Sequence, residues 1–299
     1  MDKISFILKP RGTTEFSGIL TNLVKWLLKM GKTIIFSEDE AKRIQKLLPK
    51  LYSKVEFLPY DELFSKGELI ITLGGDGSLL GASRKSQKNG PPIFGINLGK
   101  LGFITEFSQF DFYDSLEETL NGKFEITLLP LFKVEVQRGK EPIFRSHFVN
   151  DAVINKNDIS RMFTLSLETN EEQVTIFSGD GVIVSSPIGS TAYSLAAGGP
   201  IIHPLVKSLA ITPICPHSLT NRPMVITDDS ALIIKVYPTN GQINLTLDGQ
   251  EYLEINNQDS VIIKKSSLTA QLIKNPQKTY FHTLKEKFAQ GKVTIKRSN

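Results

Sequence analysis

The chain has 299 residues, 40% of them hydrophobic, and a formal net charge of +4. This length and composition exclude global disorder and predict about two domains, and the modest charge, spread along the chain, gives no indication of nucleic-acid binding. The single cysteine, Cys215, excludes an intrachain disulfide and a multi-cysteine metal cluster, and its apolar neighbours predict a buried structural thiol.

The sequence shows no export signal and no membrane span. The first apolar run, Ile4–Leu8, is too short for a secretory segment, and no stretch approaches the ~20 apolar residues that a membrane helix needs. The histidines lack zinc-type spacing, so they predict no metal site. We therefore expect a cytoplasmic protein that binds neither nucleic acid nor membrane.

Residues 1–123 alternate apolar strands with helical patterns, which is typical of an α/β domain with a parallel sheet. The predicted elements are, in chain order, a strand at Ile4–Leu8, a helix at Glu15–Met30, a strand at Thr33–Phe36, a helix at Glu38–Leu48, strands at Glu68–Leu73 and Ile93–Ile96, and a helix at Phe110–Leu120. Gly31 can adopt the left-handed conformation that ends the first helix. Ser37 and Glu40 have the spacing of a capping box for the second helix.

Residues 124–275 carry short alternating apolar runs, which predict a β-rich, sandwich-like domain. The runs are Phe132–Val136, Phe163–Leu167, Leu232–Val236, Ile243–Leu247 and Val261–Ile263. A short helix is predicted at Ser190–Ala197, with Ser190 and Thr191 as its cap. In the tail, 276–299, Phe281, Leu284 and Phe288 share one helical face, so we expect a helix that packs back on the first domain.

The strongest chemical signal is the segment Gly74-Gly75-Asp76-Gly77-Ser78, which directly follows a predicted strand. Glycines allow backbone N–H groups to approach phosphate oxygens, and the start of the following helix adds a favourable dipole. A carboxylate in such an anion site needs a purpose, either to accept a proton from an attacking hydroxyl or to orient a magnesium ion. The glycine spacing fits neither the dinucleotide fingerprint nor a Walker A loop. The structural alternative is a tight turn, with glycine for positive φ and Asp76 as a helix cap.

Several motifs together carry a resemblance to a known family. Gly74–Gly77 resembles the GGDG motif that NAD kinases share with diacylglycerol-type lipid kinases and phosphofructokinases, and Asp180–Pro200 resembles the glycine-rich signature of NAD kinases almost throughout. Further matches are Leu98–Phe103, Asn150-Asp151, Thr212–Leu219, Arg222-Pro223 and Asp248–Gln250. The chain is identified as a member of the NAD kinase family, with the resemblance weakest before residue 68 and after residue 265.

The resemblance implies roles for individual residues. Asp76 would be the catalytic aspartate, with Gly74, Gly75, Gly77 and Phe103 in the nucleotide site. The remaining positions would bind NAD, and they are Asn150, Asp151, Arg161, Asp180, Thr191, Ala192, Tyr193, Ser194, Leu195, Ala196 and Gln250. The sequence departs from the family pattern at Ser78, where threonine is usual, and at Asp151, where glutamate is common and reaches one methylene further.

The residue types alone leave two of these assignments open. Thr191-Ala192-Tyr193 offers a hydroxyl, a small residue and an aromatic face for a nucleotide, but a tyrosine of the core is the alternative. Asn150 can donate and accept hydrogen bonds, as recognition of a ribose or an amide requires. A simple Asn-Asp turn at the end of a strand is the alternative there.

Taken together, the resemblance implies transfer of the γ-phosphoryl group of ATP, with a divalent metal such as Mg²⁺ or Mn²⁺, to the 2′-hydroxyl of the adenosine ribose of NAD. NAD is expected in a cleft between the two halves, and the family usually forms homodimers or homotetramers. Two other functions stay open from the sequence. One is a lipid kinase that shares the GGDG turn, and the other is a non-catalytic NAD-binding regulator.

Overall fold

The structure is a computed structural model, and it describes residues 1–10, 17–99, 102–156, 162–169, 172–218, 220–237 and 241–288. The chain folds into two compact units. The first comprises Met1–Ala82, Asn89–Thr127 and the chain from Gln271 onward, and the second comprises Ser83–Lys88 and Leu128–Ala270. The domain bounds expected from the sequence, 1–123 with 276–299 and 124–275, stay predictions.

The first unit is an α/β fold with a parallel sheet. Its strands are β1 (Lys3–Leu8), β2 (Thr33–Ser37), β3 (Glu56–Leu58), β4 (Leu69–Gly74), β5 (Ile93–Asn97) and β6 (Phe107–Ser108). Its helices are α1 (Ser17–Lys29), α2 (Ala41–Leu47), α3 (Leu63–Lys66), α4 (Asp76–Arg84) and α5 (Tyr113–Leu120), with short 3-10 helices at Glu38–Glu40, Tyr52–Lys54 and Tyr60–Glu62. The last two residues of α4, Ser83 and Arg84, belong to the second unit. The strands lie in the order β3-β2-β1-β4-β5, all parallel, and β6 pairs with β5. The predicted parallel sheet is confirmed.

The order of the strands creates a switch point in this sheet. From β1 the chain proceeds outward to β2 and β3, then returns to the other side of β1 to form β4 and β5. The strands are buried, and their apolar side chains share one core with those of α1 and α5. Ligands of open parallel sheets bind outside the carboxyl ends of the strands at such a point. The segment that follows β4 therefore lies where a ligand is expected.

Local contacts correct two predicted helix starts. The Ser37 side chain forms no cap, and Glu40 instead bonds to the Arg43 guanidinium, so the predicted capping box is wrong. The helix predicted from Phe110 begins at Tyr113, because the backbone N–H groups of Phe110 and Asp111 bond back to Ser108 in a turn. The predicted end at Gly31 fits, since its φ of +76° is the left-handed conformation that ends helices, and Gly122 after α5 has the same conformation, with φ of +80°.

The second unit is built from two largely antiparallel sheets. Its strands are β7 (Ile126–Arg138), β8 (Glu141–Phe148), β9 (Asp151–Lys156), β10 (Phe163–Thr169), β11 (Glu172–Gly179), β12 (Gly181–Ser185), β13 (Ser208–Ile214), β14 (Met224–Thr227), β15 (Leu232–Val236), β16 (Ile243–Leu247), β17 (Glu251–Ile255) and β18 (Asp259–Ile273). One sheet has the order β11-β10-β15-β18, with β7 beside β18 and β8 beside β7, and the other has the order β14-β13-β12-β9-β16-β17. Apolar side chains from both sheets form one core, as in a sandwich. The predicted β-rich region is confirmed.

Two predictions in the second unit are wrong. The helix predicted at Ser190–Ala197 is broken into a 3-10 turn, Gly189–Thr191, and a short helix, α6 (Tyr193–Ala196). Ser190 does not cap it, because its hydroxyl donates to the backbone oxygen of Pro187 and accepts from the N–H of Ile202. Cys215 is exposed rather than buried, and it lies in the segment after β13 with a φ of +42°.

The C-terminal helix α7 (Tyr280–Phe288) belongs to the first unit. The Phe288 ring lies 5.8 Å from the ring of Phe103, and the Lys287 ammonium lies 5.9 Å from the centre of the same ring. The predicted return of the tail to the first domain is confirmed, although Phe281 and Phe288 of the predicted face are 60% and 40% exposed and neither joins the core. No helix in the described part of the chain is long and apolar enough to cross a membrane.

Candidate active site

The glycine turn lies directly after β4, at the switch point of the parallel sheet. A side chain at Gly74 would place its Cβ 2.1 Å from the Ser78 hydroxyl oxygen, whereas a Cβ at Gly75 would meet nothing within 4 Å. The backbone of the turn is thus packed on one side and open at Gly75, which leaves room for a ligand. Gly74, Gly75 and Gly77 are all described, and none has a positive φ. The alternative interpretation, glycines required for positive φ, is wrong.

Asp76 begins α4, yet its carboxylate does not cap that helix. Its Oδ2 accepts a hydrogen bond from the N–H of Phe103 at 2.8 Å. Its Oδ1 accepts from the N–H groups of Ile104 and Thr105, at 3.4 and 3.0 Å, and from the Thr105 hydroxyl at 2.7 Å. The loop after β5 therefore holds this carboxylate beside the glycine turn. Oδ1 carries three of the four bonds, so Oδ2 has more free capacity to accept a substrate proton.

Asn150 and Asp151 stand at the junction of β8 and β9 in the second unit. Asp151 is only 5% exposed, and no other residue in the described part of the chain hydrogen-bonds to its carboxylate or to the side-chain amide of Asn150. A buried carboxylate is normally paired, whereas Asn150 is partly exposed. Two neighbouring unpaired polar side chains are therefore well suited to bind a polar ligand, as the resemblance implied.

Asp248 fixes the backbone of this pair. It lies in the turn between β16 and β17, where Asp248 and Gly249 have φ of +50° and +64°, values that fit the tight hairpin turn of an Asp-Gly pair. Its carboxylate accepts hydrogen bonds from the N–H groups of Val149, Asn150 and Asp151, at 3.1, 2.7 and 3.1 Å. Arg84, which also belongs to the second unit, contacts the same carboxylate at 3.3 Å. The segment that presents Asn150 and Asp151 is thus held by a buried acid.

The two acids of this cluster titrate at unusual pH. Burial, and then the negative charge of Asp248, raise the pKa of Asp151 to about 7. Burial also raises the pKa of Asp248, although the N–H groups of residues 149–151 and the Arg84 charge act in the opposite direction. Asp151 therefore changes its charge near neutral pH, and when protonated it can donate a hydrogen bond as well as accept one.

The signature segment that follows β12 contains both exposed and buried candidates. Tyr193 is 48% exposed and belongs to neither buried core, so the alternative of a core tyrosine is wrong. Ser194 is fully buried, and its hydroxyl bonds to the Thr212 hydroxyl at 2.9 Å. The Thr191 hydroxyl donates to the backbone oxygen of Ile188. Ala192 and Leu195 are partly exposed and Ala196 is exposed, so these side chains are accessible to a ligand.

The remaining sequence candidates lie in different surroundings. Asp180 forms an ion pair with Lys156 at 2.8 Å, and Gln250 accepts a hydrogen bond from Arg84 at 3.1 Å. The predicted NAD contact of Arg161 lies outside the described residues. Gly189 supports the Asn150 position, because a Cβ there would lie 2.1 Å from the Asn150 backbone oxygen.

Sequence reasoning missed Thr105, Arg84 and the role of Asp248. Thr105 comes two residues after the Leu98–Phe103 motif, and Asp248 belongs to a matched motif, so both had a signal in their neighbourhood. Arg84 had none, since it is an ordinary basic residue at the end of α4.

The described residues contain no cluster of three or more His, Cys, Asp or Glu side chains that could hold a metal ion. Mg²⁺ in phosphoryl-transfer sites is commonly bound by one or two carboxylates together with the phosphates of the substrate. Asp76 supplies the carboxylate of the glycine turn, and both of its oxygens already accept hydrogen bonds from the loop after β5.

Comparisons with known proteins agree with this geometry. Residues 4–124 match the model of the ATP-NAD kinase N-terminal domain, and residues 149–275 match the model of the ATP-NAD kinase C-terminal domain. The chain is 38% identical over 274 residues to the NAD kinase of Geotalea daltonii, covering 92% of this chain and 94% of that one. It is 37% identical over 292 residues to the NAD kinase of Geobacter sp. strain M21, covering 97% and 99%.

Two solved structures share the fold. A yeast NADH kinase complexed with NADH superimposes with a TM-score of 0.86 and 22% identity, covering 98% of this chain and 88% of that one. An NAD kinase from Archaeoglobus fulgidus in complex with ATP gives a TM-score of 0.68 and 24% identity, with coverage of 95% and 98%. With family models across both halves and relatives aligned over almost its full length, the chain belongs to the ATP-NAD kinase family.

Proposed function

We propose that this chain is an NAD kinase that transfers the γ-phosphoryl group of ATP to the 2′-hydroxyl of the adenosine ribose of NAD, forming NADP and ADP. The observation that carries the proposal is the position of Asp76. In a chain that belongs to the ATP-NAD kinase family, this acid lies at the switch point of the parallel sheet, beside an open glycine turn. The family models do not favour the lipid-kinase alternative.

Asp76 acts on the attacking hydroxyl. The 2′-hydroxyl of NAD donates its hydrogen bond to Oδ2, the carboxylate oxygen with a single donor among the described residues. As the ribose oxygen forms its bond to the γ-phosphorus, the bond from that phosphorus to the β–γ bridging oxygen breaks and ADP leaves. The proton passes to Asp76 or, after alignment by Asp76, to solvent. Positioning and charge stabilisation supply most of the acceleration, because phosphoryl transfer is loose.

The triphosphate of ATP binds at the glycine turn, where Gly75 leaves space and the N-terminus of α4 favours negative charge. A divalent cation such as Mg²⁺ or Mn²⁺, when bound with ATP, would neutralise charge on its phosphates. Among the residues of this turn, Asp76 is the one that could contribute a carboxylate to that cation.

NAD is bound by residues of the second unit. Asn150 and Asp151 offer side chains that no described residue satisfies, and Tyr193 offers a partly exposed ring on which a base or a ribose can pack. The other residues of the NAD site are proposed because the sequence resembles the family at these positions. They are Asp180, Thr191, Ala192, Ser194, Leu195, Ala196, Gln250 and Arg161. The homodimer or homotetramer that the family implies is also a proposal, which light scattering of the purified protein tests.

The test is a coupled assay. Purified protein with ATP, Mg²⁺ and NAD should produce NADP, detected through an NADP-specific dehydrogenase, while diacylglycerol should accept no labelled phosphate. Asp76→Asn should keep its thermal melting temperature and lose about 10²–10⁴-fold in kcat, the range usual for a general base. Absence of NADP formation by the wild-type protein would refute the function. Normal turnover of the variant would instead remove Asp76 from the mechanism.

A further inference from the structure

The loop after β5 surrounds the Asp76 carboxylate more tightly than a helix cap would. Three consecutive residues, Phe103, Ile104 and Thr105, donate backbone N–H groups to it, and Thr105 adds its hydroxyl at 2.7 Å. Thr105 is fully buried. Hydrogen bonds to an ionised carboxylate are shorter and roughly twice as strong as neutral ones. Two of them from one residue to Oδ1 restrict rotation of the carboxylate.

Gly102 makes this approach possible. A Cβ at this position would lie 1.8 Å from Asp76 Oδ1 and 2.6 Å from Oδ2, far inside van der Waals contact. The need for glycine at this position is therefore steric. The requirement comes from the space that the carboxylate occupies.

The same loop is anchored on its far side. The Glu106 carboxylate accepts the N–H of Asn275, and the Asn275 side chain donates to the Glu106 backbone oxygen at 3.2 Å. The Phe103 ring packs against Phe288 of α7. Thr105 thus lies in a segment that is tied to the tail on one side and to Asp76 on the other, which makes it a fixed support rather than a passing contact.

We propose that Thr105 is a positioning residue for phosphoryl transfer. Its hydroxyl and N–H occupy Oδ1 of Asp76 and hold the carboxylate in one rotamer, so that Oδ2 is the oxygen presented to the 2′-hydroxyl of NAD. Thr105 itself touches no substrate and acts through Asp76. This inference rests on the proposed function and deepens it, because it names the group that orients the acid.

The decisive variant is Thr105→Val, which keeps the branched shape and the N–H but removes the hydroxyl. A hydrogen bond to a charged group is worth about 1.5–3 kcal/mol, so kcat should fall roughly 10–100-fold. The KM values for NAD and ATP should change less than about threefold, because binding contacts are untouched. Thr105→Ser retains the hydroxyl, and it should recover most of kcat.

Thr119→Val is the matched control. Thr119 is also buried in the first unit, and its hydroxyl donates to the Ser115 backbone oxygen at 2.7 Å, within α5. This control should keep kcat unchanged. If Thr105→Val does not show a cooperative melting transition, Thr105→Ala and Thr105→Ser are compared in its place, with the same expected difference in kcat.

A double-mutant cycle separates positioning from general support. In the Asp76→Asn background, Thr105→Val should lower kcat no further, because the residue acts through the Asp76 carboxylate. An additive loss, or a normal kcat in Thr105→Val alone, would overturn the inference. Failure of the wild-type protein to form NADP would refute the proposed function itself, before any variant is compared, so the two failures are distinct.

Discussion

The charge of Asp151 should make the stability of the protein depend on pH in an unusual direction. Asp151 is buried, and its pKa is raised from its usual 3.8 to about 7. Between these values the folded state holds a proton that the unfolded chain releases. The folded state then binds more protons, so the free energy of unfolding falls as the pH rises from about 4 to about 7.

The magnitude follows from the same values. At 1.36 kcal/mol per pH unit, the interval from 3.8 to about 7 corresponds to a cost of about 4 kcal/mol once Asp151 is ionised. Asp151 and Asp248 interact, so the measured effect is shared between them and we expect about 2–4 kcal/mol. Asp151→Asn removes the charge at nearly constant shape. It should raise the melting temperature at pH 8 by roughly 5–15 °C, and change it little at pH 4.5.

The assay is thermal melting of wild type and Asp151→Asn at pH 4.5, 6, 7 and 8, without ligands. Asp259→Asn is the control of opposite sign, because Asp259 is a buried acid that forms two hydrogen bonds with Arg138, at 2.8 and 3.0 Å. That change breaks a pair and should lower stability at pH 8. The reasoning is refuted if the difference between Asp151→Asn and wild type is the same at every pH, or if the variant is the less stable at pH 8.

Three further predictions concern ligands and packing. Asn150→Ala should raise KM for NAD about 5–150-fold through lost hydrogen bonds, and Tyr193→Ala should also raise it. An equal rise in KM for ATP would contradict the assignment of these two residues to the NAD site. Activity should vanish with EDTA and return with Mg²⁺ or Mn²⁺, and full activity under strict chelation would exclude the proposed ATP site. Gly189→Ala should weaken NAD binding and lower the melting temperature, since its Cβ would lie 2.1 Å from the Asn150 backbone oxygen; an unchanged KM would argue against this support.

The sequence predicted the elements whose signals are local. Strands such as Leu232–Val236 and Ile243–Leu247 have the predicted bounds, because alternating burial along a strand is a local pattern. Helix caps were predicted less well. The Ser190 hydroxyl bonds to Ile202, twelve residues along the chain, and no spacing rule within the helix reveals that partner.

The candidate site divides in the same way. Asp76 and the Asn150-Asp151 pair stand in recognisable motifs, but the groups that hold them lie far away in sequence. Thr105 is 29 residues from Asp76, and Asp248 is 98 residues from Asn150. Such contacts depend on the complete fold. A motif in a single sequence therefore identifies the site residue but not the distant residues that form hydrogen bonds with it.

The interrupted first unit has a consequence for how the protein is made. The chain leaves this unit at Thr127 and returns at Gln271, where β18 adds Leu272 beside Ile93 of β5. At about 5–20 residues per second, a ribosome needs roughly 7–30 s to synthesise the intervening segment. During that time the edge of β5 at Ile93 lacks its partner, and Glu106 lacks Asn275. A nascent chain should therefore expose an unpaired strand edge, a target for chaperones, until the end of β18 has been translated.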